Sequence, residues 1–305
     1  MTVLAGGVGG AKLAHGVAMS GSPLVIVGNT ADDVELYGLA ISPDLDTVMY
    51  TLAGVANSET GWGVQGETHA ALDAMRRLGE DTWFTLGDRD LATHIVRSAR
   101  LRAGEPLSAV TAALATALGV RASLLPMTDQ RVATMIDTPR GRLEFQEYFV
   151  RGGHRDEVLG ITFQGIEAAR PGPGVLAALT EADVVVIAPS NPLVSVGPVL
   201  AVPGVRHALA GSPARRAAVS PVIGGHALRG PAAAMLRTLG HDVSALGVAR
   251  LYQGLVDVMC IDEQDEHLAP AIVELGMRVV VTDTVMADEA GRERLARYVV
   301  AAALE

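Results

Sequence analysis

The chain has 305 residues and a net charge of −10, with apolar side chains at 49% of positions and aromatic ones at only 4%. That is enough for one large domain or two small ones, with a core built from Ala, Val, Leu and Ile. The acidic balance excludes general binding to nucleic acid or anionic membranes, but leaves room for a local basic site that takes a phosphorylated small molecule.

The first predicted element carries the most chemistry. Thr2-Val3-Leu4-Ala5 leads into Gly6, Gly7, Gly9 and Gly10, and then into Ala11-Lys12-Leu13. This reads as strand, glycine turn and helix, a form that aims backbone N–H groups and a helix N-terminus at an anion such as phosphate. Lys12, the sole lysine of the chain, adds a compact point charge. Both familiar fingerprints fail: Lys12 stands where a dinucleotide fold has its third glycine, and Ala11 precedes the lysine where a P-loop has glycine. A tight turn with a surface lysine fits the same residues.

Leu24 to Val27 predicts a buried strand, followed by the polar run Asn29-Thr30-Ala31-Asp32-Asp33, either a ligand-facing lip or a self-satisfied turn. In Ile41 to Thr47, Asp44 and Asp46 lie two apart. In an extended loop they would point to one side and hold a hard cation such as Mg²⁺. Spacing alone favours a cap at Asp46 or Thr47 for a following helix. In Leu86 to His94, Asp90 suits an N-cap, whereas Asp88 and Arg89 stand just outside the expected helix start. An arginine there could fork onto phosphate or a polar ring edge. His94 reads as a surface or packing residue.

Two helices follow over Leu91 to Leu118, with Pro106 in a first turn and Gly119 as a stop. They predict a mostly helical insertion at about 88–125 that covers one end of a sheet. Arg142 to Val150 returns to strand-like alternation, and Gly152-Gly153 and Pro171 to Gly174 mark turns. Val184 to Ile187 is a strand, and Ala188-Pro189-Ser190-Asn191-Pro192 with Ser195 forms either a lip for a base or phosphate or a proline-bounded turn. Ala218 to Ile223 predicts another strand with Pro221 near its exit, and Gly230 to Leu239 a helix ended by Gly240. Cys260, the single cysteine, sits in the apolar run Val258 to Ile261 as a buried, inert thiol, which excludes an intrachain disulfide. Val279 to Val281 completes the strands.

Strands alternating with helices imply an α/β, doubly wound, mainly parallel sheet of Rossmann-like type with an inserted helical cap. Residues 1–305 are expected to form one nucleotide-binding domain, with its ligand beyond the carboxyl ends of the strands. The start lacks a signal peptide's basic and apolar regions, and no apolar run spans a bilayer, so a soluble cytoplasmic protein is expected. Neither a Gly-x-Ser-x-Gly elbow nor a His-Glu-x-x-His pair occurs. The residues alone imply a phosphate site, with room for Mg²⁺, and select no reaction.

In order along the chain, the glycine turn through Lys12, Asn29 to Asp33, Tyr37-Gly38, Ser42 to Thr47, Gly61-Trp62-Gly63, Leu86 to His94 and Leu125 to Asp129 resemble the 2-phospho-L-lactate transferase family of coenzyme F-420 biosynthesis. Phe145 to Phe149, Ala188 to Pro192, Ser220 to Gly225 and Gly230 to Ala232 extend the resemblance. It implies transfer of a phospho-three-carbon acid, 2-phospholactyl or enolpyruvyl phosphate, from a guanosine-diphosphate-linked donor. The acceptor would be the ribityl hydroxyl of 7,8-didemethyl-8-hydroxy-5-deazariboflavin, with GMP released and Mg²⁺ as cofactor. By the same resemblance, Asp46, Asp44 and Arg89 are catalytic, and Asp46, Arg89 and Asp88 bind the deazaflavin. Gly6, Gly7, Gly9, Gly10, Lys12, Asn29, Ser190, Asn191 and Ser195 bind the donor's phosphates and guanosine, and Asp44 and Asp46 are candidate metal ligands. A homodimer is implied, with no nucleic-acid or membrane partner. A related group of nucleotide-sugar-binding regulators shares the glycine turn and the Pro-Ser-Asn lip. The Pro43-Asp44-Leu45-Asp46 and Gly87-Asp88-Arg89-Asp90 stretches favour the transferase over that reading, and the missing third glycine counts against an oxidoreductase.

Overall fold

A computed structural model describes residues 1–227 and 230–305. Seven short apolar runs pair in parallel: β1 (Thr2–Ala5), β2 (Val25–Gly28), β3 (Ser123–Pro126), β4 (Val184–Ile187), β5 (Arg215–Val219), β6 (Val258–Ile261) and β7 (Arg278–Val281). Their order is β3-β2-β1-β4-β5-β6-β7. It reverses between β1 and β4, and a doubly wound sheet opens its ligand crevice at such a point. The register sets Val3 beside Ile26 on one side and Val186 on the other.

The strands read as unbroken apolar runs because both faces of the sheet are covered. Leu4, Val185, Ile187 and Met259 join one core cluster; Val3, Ala5, Val184, Val186 and Cys260 join the other. Cys260 is fully buried, and burial pushes its thiol up to about 12, consistent with an inert side chain. On the second face, α1 (Gly7–Ala18) lies against the C-terminal helix Glu289–Leu304. Gly16 makes that approach possible, since a Cβ there would collide with the Arg292 carbonyl.

Several segments depart from the sequence expectation. The connection from β2 to β3 is mostly helical, and its helices begin well before residue 88. It holds the hairpin Val34–Leu36/Leu39–Ile41, then α2 (Pro43–Leu52), α3 (Ala70–Arg77), α4 (Asp88–Arg102) and α5 (Leu107–Ala117). Ser123 to Pro126, placed at its end by sequence, is the edge strand β3. Beyond it, Ala133–Thr138, Gly141–Glu144 and Gly160–Gln164 form a separate antiparallel sheet that the sequence reading did not find.

The strand expected over Arg142 to Val150 stops at Glu144, and Glu147–Arg151 winds into a π-helical turn. Phe145, Tyr148 and Phe149 are spaced by three and four, a helical rather than alternating period, and Phe145 stacks on Phe149 at 5.4 Å. The strand expected through Ile223 also breaks. The Ser220 hydroxyl bonds the Val222 N–H and carbonyl, turning the chain into the hairpin Val222–Ile223/His226–Ala227. No helix among the described residues is long and apolar enough to cross a membrane.

Candidate active site

At the switch point between β1 and β4, a cleft of about 570 Å³ opens at the carboxyl ends of the strands. Its floor is the glycine turn. Gly6 precedes α1, while Gly7, Gly9 and Gly10 lie in its first two turns, where helical N–H groups of Val8 and Gly9 have no acceptor within the helix. The glycines are required by close approach. A Cβ on Gly6 would lie 2.5 Å from Asp44 Oδ2 and 2.8 Å from Ser195 Cβ; on Gly10 it would lie 2.6 Å from Ser190 Oγ. On Gly9 it would collide with the Pro189 carbonyl oxygen. Glycine here lets the turn touch both α2 and the loop after β4.

The polar residues around this floor divide into those that face the cleft and those that brace it. The Ser190 hydroxyl donates to the Gly6 carbonyl at 2.8 Å and accepts from the Gly6 N–H at 3.2 Å, locking the turn to the loop after β4. Asn191 Oδ1 accepts from the N–H groups of Leu193 and Val194. Asn29 is wholly buried: Nδ2 donates to Asp44 Oδ2 (3.0 Å) and to the Val194 carbonyl (3.2 Å), and Oδ1 accepts from the Ala31 N–H. It therefore acts on Asp44. Lys12 lines the cleft, with Nζ 2.8 Å from the Met286 carbonyl oxygen that it donates to. Ser195 lines it as well.

Neither an extended loop around Asp44 and Asp46 nor a cap at Asp46 or Thr47 is formed: both aspartates lie in the first turn of α2, which starts at Pro43 with Ser42 at the N-cap position. Proline at the first helical position is itself a start signal. Residues two apart on a helix point to different sides, so the two carboxylates separate. Asp44 faces the cleft and accepts the Gly7 N–H at 2.9 Å. Burial, against the hydrogen bonds from Asn29 and Gly7, pushes it up to about 6. Asp32 lines the same cleft, and burial first and then the charge of Asp44 hold it well above the usual carboxylate range. Its buried Oδ1 has no hydrogen-bond partner among the described residues. Two oxygen-donor side chains held against their own ionisation form a donor set that suits a hard divalent cation.

Asp46 turns into the protein body. It is 4% exposed. The Arg97 guanidinium of α4 donates to both of its oxygens, Nη1 to Oδ2 at 3.0 Å and Nη2 to Oδ1. Burial alone would lower the arginine, but the charge and hydrogen bonds of Asp46 more than offset this. His94 is buried too: Nε2 lies 3.2 Å from Asp90 Oδ1, and Nδ1 lies 3.2 Å from Arg97 Nη1. The Tyr50 hydroxyl donates to Asp90 at 2.7 Å. Asp46, Asp90 and His94 offer ligand atoms within 4.8 Å of one another, a set compatible with a metal. The Arg97 fork already supplies a cation to it.

Asp88 and Arg89, expected outside the helix, open α4, and Gly87 holds the N-cap position in place of Asp90. Two carboxylates cap across the gap between helices. Glu67 accepts the N–H groups of Arg89 and Asp90, both at 2.8 Å, and Asp88 accepts those of Ala70 and Ala71 at the start of α3. Arg89 Nη1 donates to the Gln65 carbonyl. Asp46, Asp88 and Arg89 are thus outside the set of residues that line the cleft. The outer wall includes Trp62, half exposed, with Phe145 and Phe149. Asp32 belongs to the polar run read as a ligand-facing lip or a turn but was not named as a site residue, and the aromatics were noted only within stretches that carry the family resemblance.

Solved structures of a UPF0052-family protein from Bacillus halodurans share the fold, with a TM-score of 0.65 and 13% identity over 98% of both chains. Curated relatives are far more similar. A phosphoenolpyruvate transferase of Kitasatospora aureofaciens is 42% identical, covering 99% of this chain and 97% of its own. One from Thermobifida fusca is 45% identical over 90% of both chains, and a 2-phospho-L-lactate transferase of Methanosarcina acetivorans is 39% identical over 98% of both. The sequence matches the family 2-phospho-L-lactate transferase CofD over residues 1–303. A chain matched from residue 1 to 303 by this family, with relatives about 40% identical over nearly its full length and a cleft at the switch point of its doubly wound sheet, is a transferase and a member of the 2-phospho-L-lactate transferase CofD family.

Proposed function

We propose that the protein moves a phospho-three-carbon acid, enolpyruvyl phosphate or 2-phospholactyl, from a guanosine-diphosphate-linked donor to the ribityl hydroxyl of 7,8-didemethyl-8-hydroxy-5-deazariboflavin. GMP is released, and the product belongs to coenzyme F-420 biosynthesis. The observation that carries this reading is the convergence of the α1 N-terminus, Lys12 and the Asp32–Asp44 pair on one cleft with an aromatic outer wall. The hydroxyl oxygen forms a bond to the phosphorus distal to guanosine, the bridging P–O bond breaks, and GMP carries that oxygen away. The first-turn N–H groups of α1 and Lys12 stabilise charge on the phosphoryl oxygens. Trp62, Phe145 and Phe149 offer stacking faces of the kind a flat tricyclic acceptor needs.

Asp44 and Asp32 would hold Mg²⁺, which neutralises charge on the pyrophosphate when bound. Asn29 aims Asp44 by donating to its Oδ2. The leaving bridging oxygen of GMP takes up a proton as the hydroxyl loses one, so the transfer needs positioning and charge stabilisation more than a dedicated base. Phospho-acids that differ by a double bond or a hydroxyl are told apart by few contacts. The test is therefore a mass-spectrometric turnover assay with the deazaflavin, Mg²⁺ and guanylylated phosphoenolpyruvate, phospholactate or phosphoglycerate in parallel. A mass gain on the deazaflavin with release of GMP supports the reading, and its size names the donor. Absence of product from all three, with folded protein, would contradict it.

A further inference from the structure

We infer that the buried Asp46–Arg97 pair is a positioning device for the cleft: it fixes the first turn of α2, and with it the placement of Asp44 relative to Asp32, and so sets the affinity of that carboxylate pair for a divalent cation. The inference rests on the Asp32–Asp44 reading of the cation site.

Asp44 and Asp46 leave α2 on different sides of the same turn, so the turn is gripped twice. On the cleft side Asp44 is tied to the Gly7 N–H and to Asn29. On the far side Asp46 receives both guanidinium nitrogens of Arg97, whose side chain is 1% exposed. A planar fork on a carboxylate fixes rotation as well as distance, which a single ammonium does not. The residue before α2 is tied in the same way: the Ser42 hydroxyl donates to Asp33 Oδ2 at 2.7 Å, and Asp33 directly follows Asp32. The Asp33 carbonyl in turn accepts from Arg131 Nη1. The loop that carries Asp32 and the helix that carries Asp44 are therefore joined at Ser42, and Arg97 braces the helix from behind. Neither Ser42 nor Arg97 lines the cleft.

Groups behind metal ligands change metal affinity by about 10- to 100-fold when removed. Substrate-free protein is titrated with Mn²⁺ and the free ion is read by electron paramagnetic resonance, beside the thermal midpoint of each variant. Arg97→Lys keeps the charge and loses the fork; Ser42→Ala cuts the tie to Asp33. Each is expected to weaken Mn²⁺ binding by about tenfold and to raise the half-saturating Mg²⁺ for turnover while kcat at saturating Mg²⁺ stays within about twofold. A merely structural role would lower the thermal midpoint and leave the affinity of the folded protein unchanged, and that outcome overturns the inference. Should Arg97→Lys not fold, Asp46→Asn, which weakens the same fork from its other end, decides it by the same readout. Asp90→Asn is expected to leave Mn²⁺ binding intact; a loss matching that of Asp44→Asn would put the ion among Asp46, Asp90 and His94 and overturn the inference. A wild-type protein that binds no Mn²⁺ contradicts the cation reading and this inference together. Wild type and both variants binding equally contradicts this inference alone.

Discussion

Asp44 and Asp46 have the same chemistry, stand two residues apart on one helical turn, and live in opposite worlds. Asp44 faces a cleft and accepts hydrogen bonds from the Gly7 N–H and the Asn29 amide, and burial raises its proton affinity. Asp46 is sealed in the interior with a guanidinium on both oxygens. The difference shows how a helix sorts one short acidic motif into a reactive group and its support. A carboxylate that faces a cleft has binding capacity to offer a ligand, and one paired in the interior has its geometry to offer.

Breaking the compensated side should cost the most stability. Arg97→Met leaves Asp46 buried without its cation, and a loss of about 3–5 kcal/mol is expected in urea unfolding. On the cleft side, Asp44→Asn should cut turnover by about 10²–10³-fold while stability at pH 7 holds or rises, because the group removed is one that burial disfavours in its charged form. Gly9→Ala drives a methyl into the Pro189 carbonyl between the two loops of the cleft and should destabilise by about 1–3 kcal/mol, with donor binding weakened in the protein that remains folded.

The comparison also has a pH signature. Asp44 and Asp33 are raised to about 6 and about 8 from a reference of 3.8, both by burial first. A carboxyl raised on folding binds more protons in the native state than in the unfolded state, so its contribution is complete below pH 3.8 and declines as pH rises to the folded value. These two groups therefore pull the stability of metal-free protein down between about pH 4 and 8, and Mg²⁺ should flatten that decline if it occupies the cleft. The smallest effect belongs to the outer scaffold: Glu67→Ala removes the cap on α4 and should cost about 1 kcal/mol with donor affinity unchanged.

The strand–glycine turn–helix unit and the parallel sheet were legible because their signals are local: β-branched apolar runs buried on both faces, and glycines where the chain must pass close to itself. Asp44 was legible as a candidate, but its separation from Asp46 was not: spacing favoured a helix capped at Asp46 or Thr47, whereas Ser42 holds the N-cap position and the helix starts at Pro43. Asp46 and Arg97 meet from positions 51 residues apart, a distance at which spacing carries no information. The Phe145–Phe149 stack was hidden because isolated apolar residues among charges fit two periods. The edge strand β3 and the antiparallel sheet beyond it depend on long-range pairing, which a local pattern does not specify.

The most direct measurement sets Asp44→Asn beside Asp46→Asn, with urea unfolding and turnover per folded molecule taken on the same samples. Asp44→Asn should lose turnover and keep its stability, whereas Asp46→Asn should lose stability and retain measurable turnover at saturating Mg²⁺. If Asp46→Asn stays as stable as wild type and is inactive, or Asp44→Asn turns over normally, the division of roles on α2 is wrong.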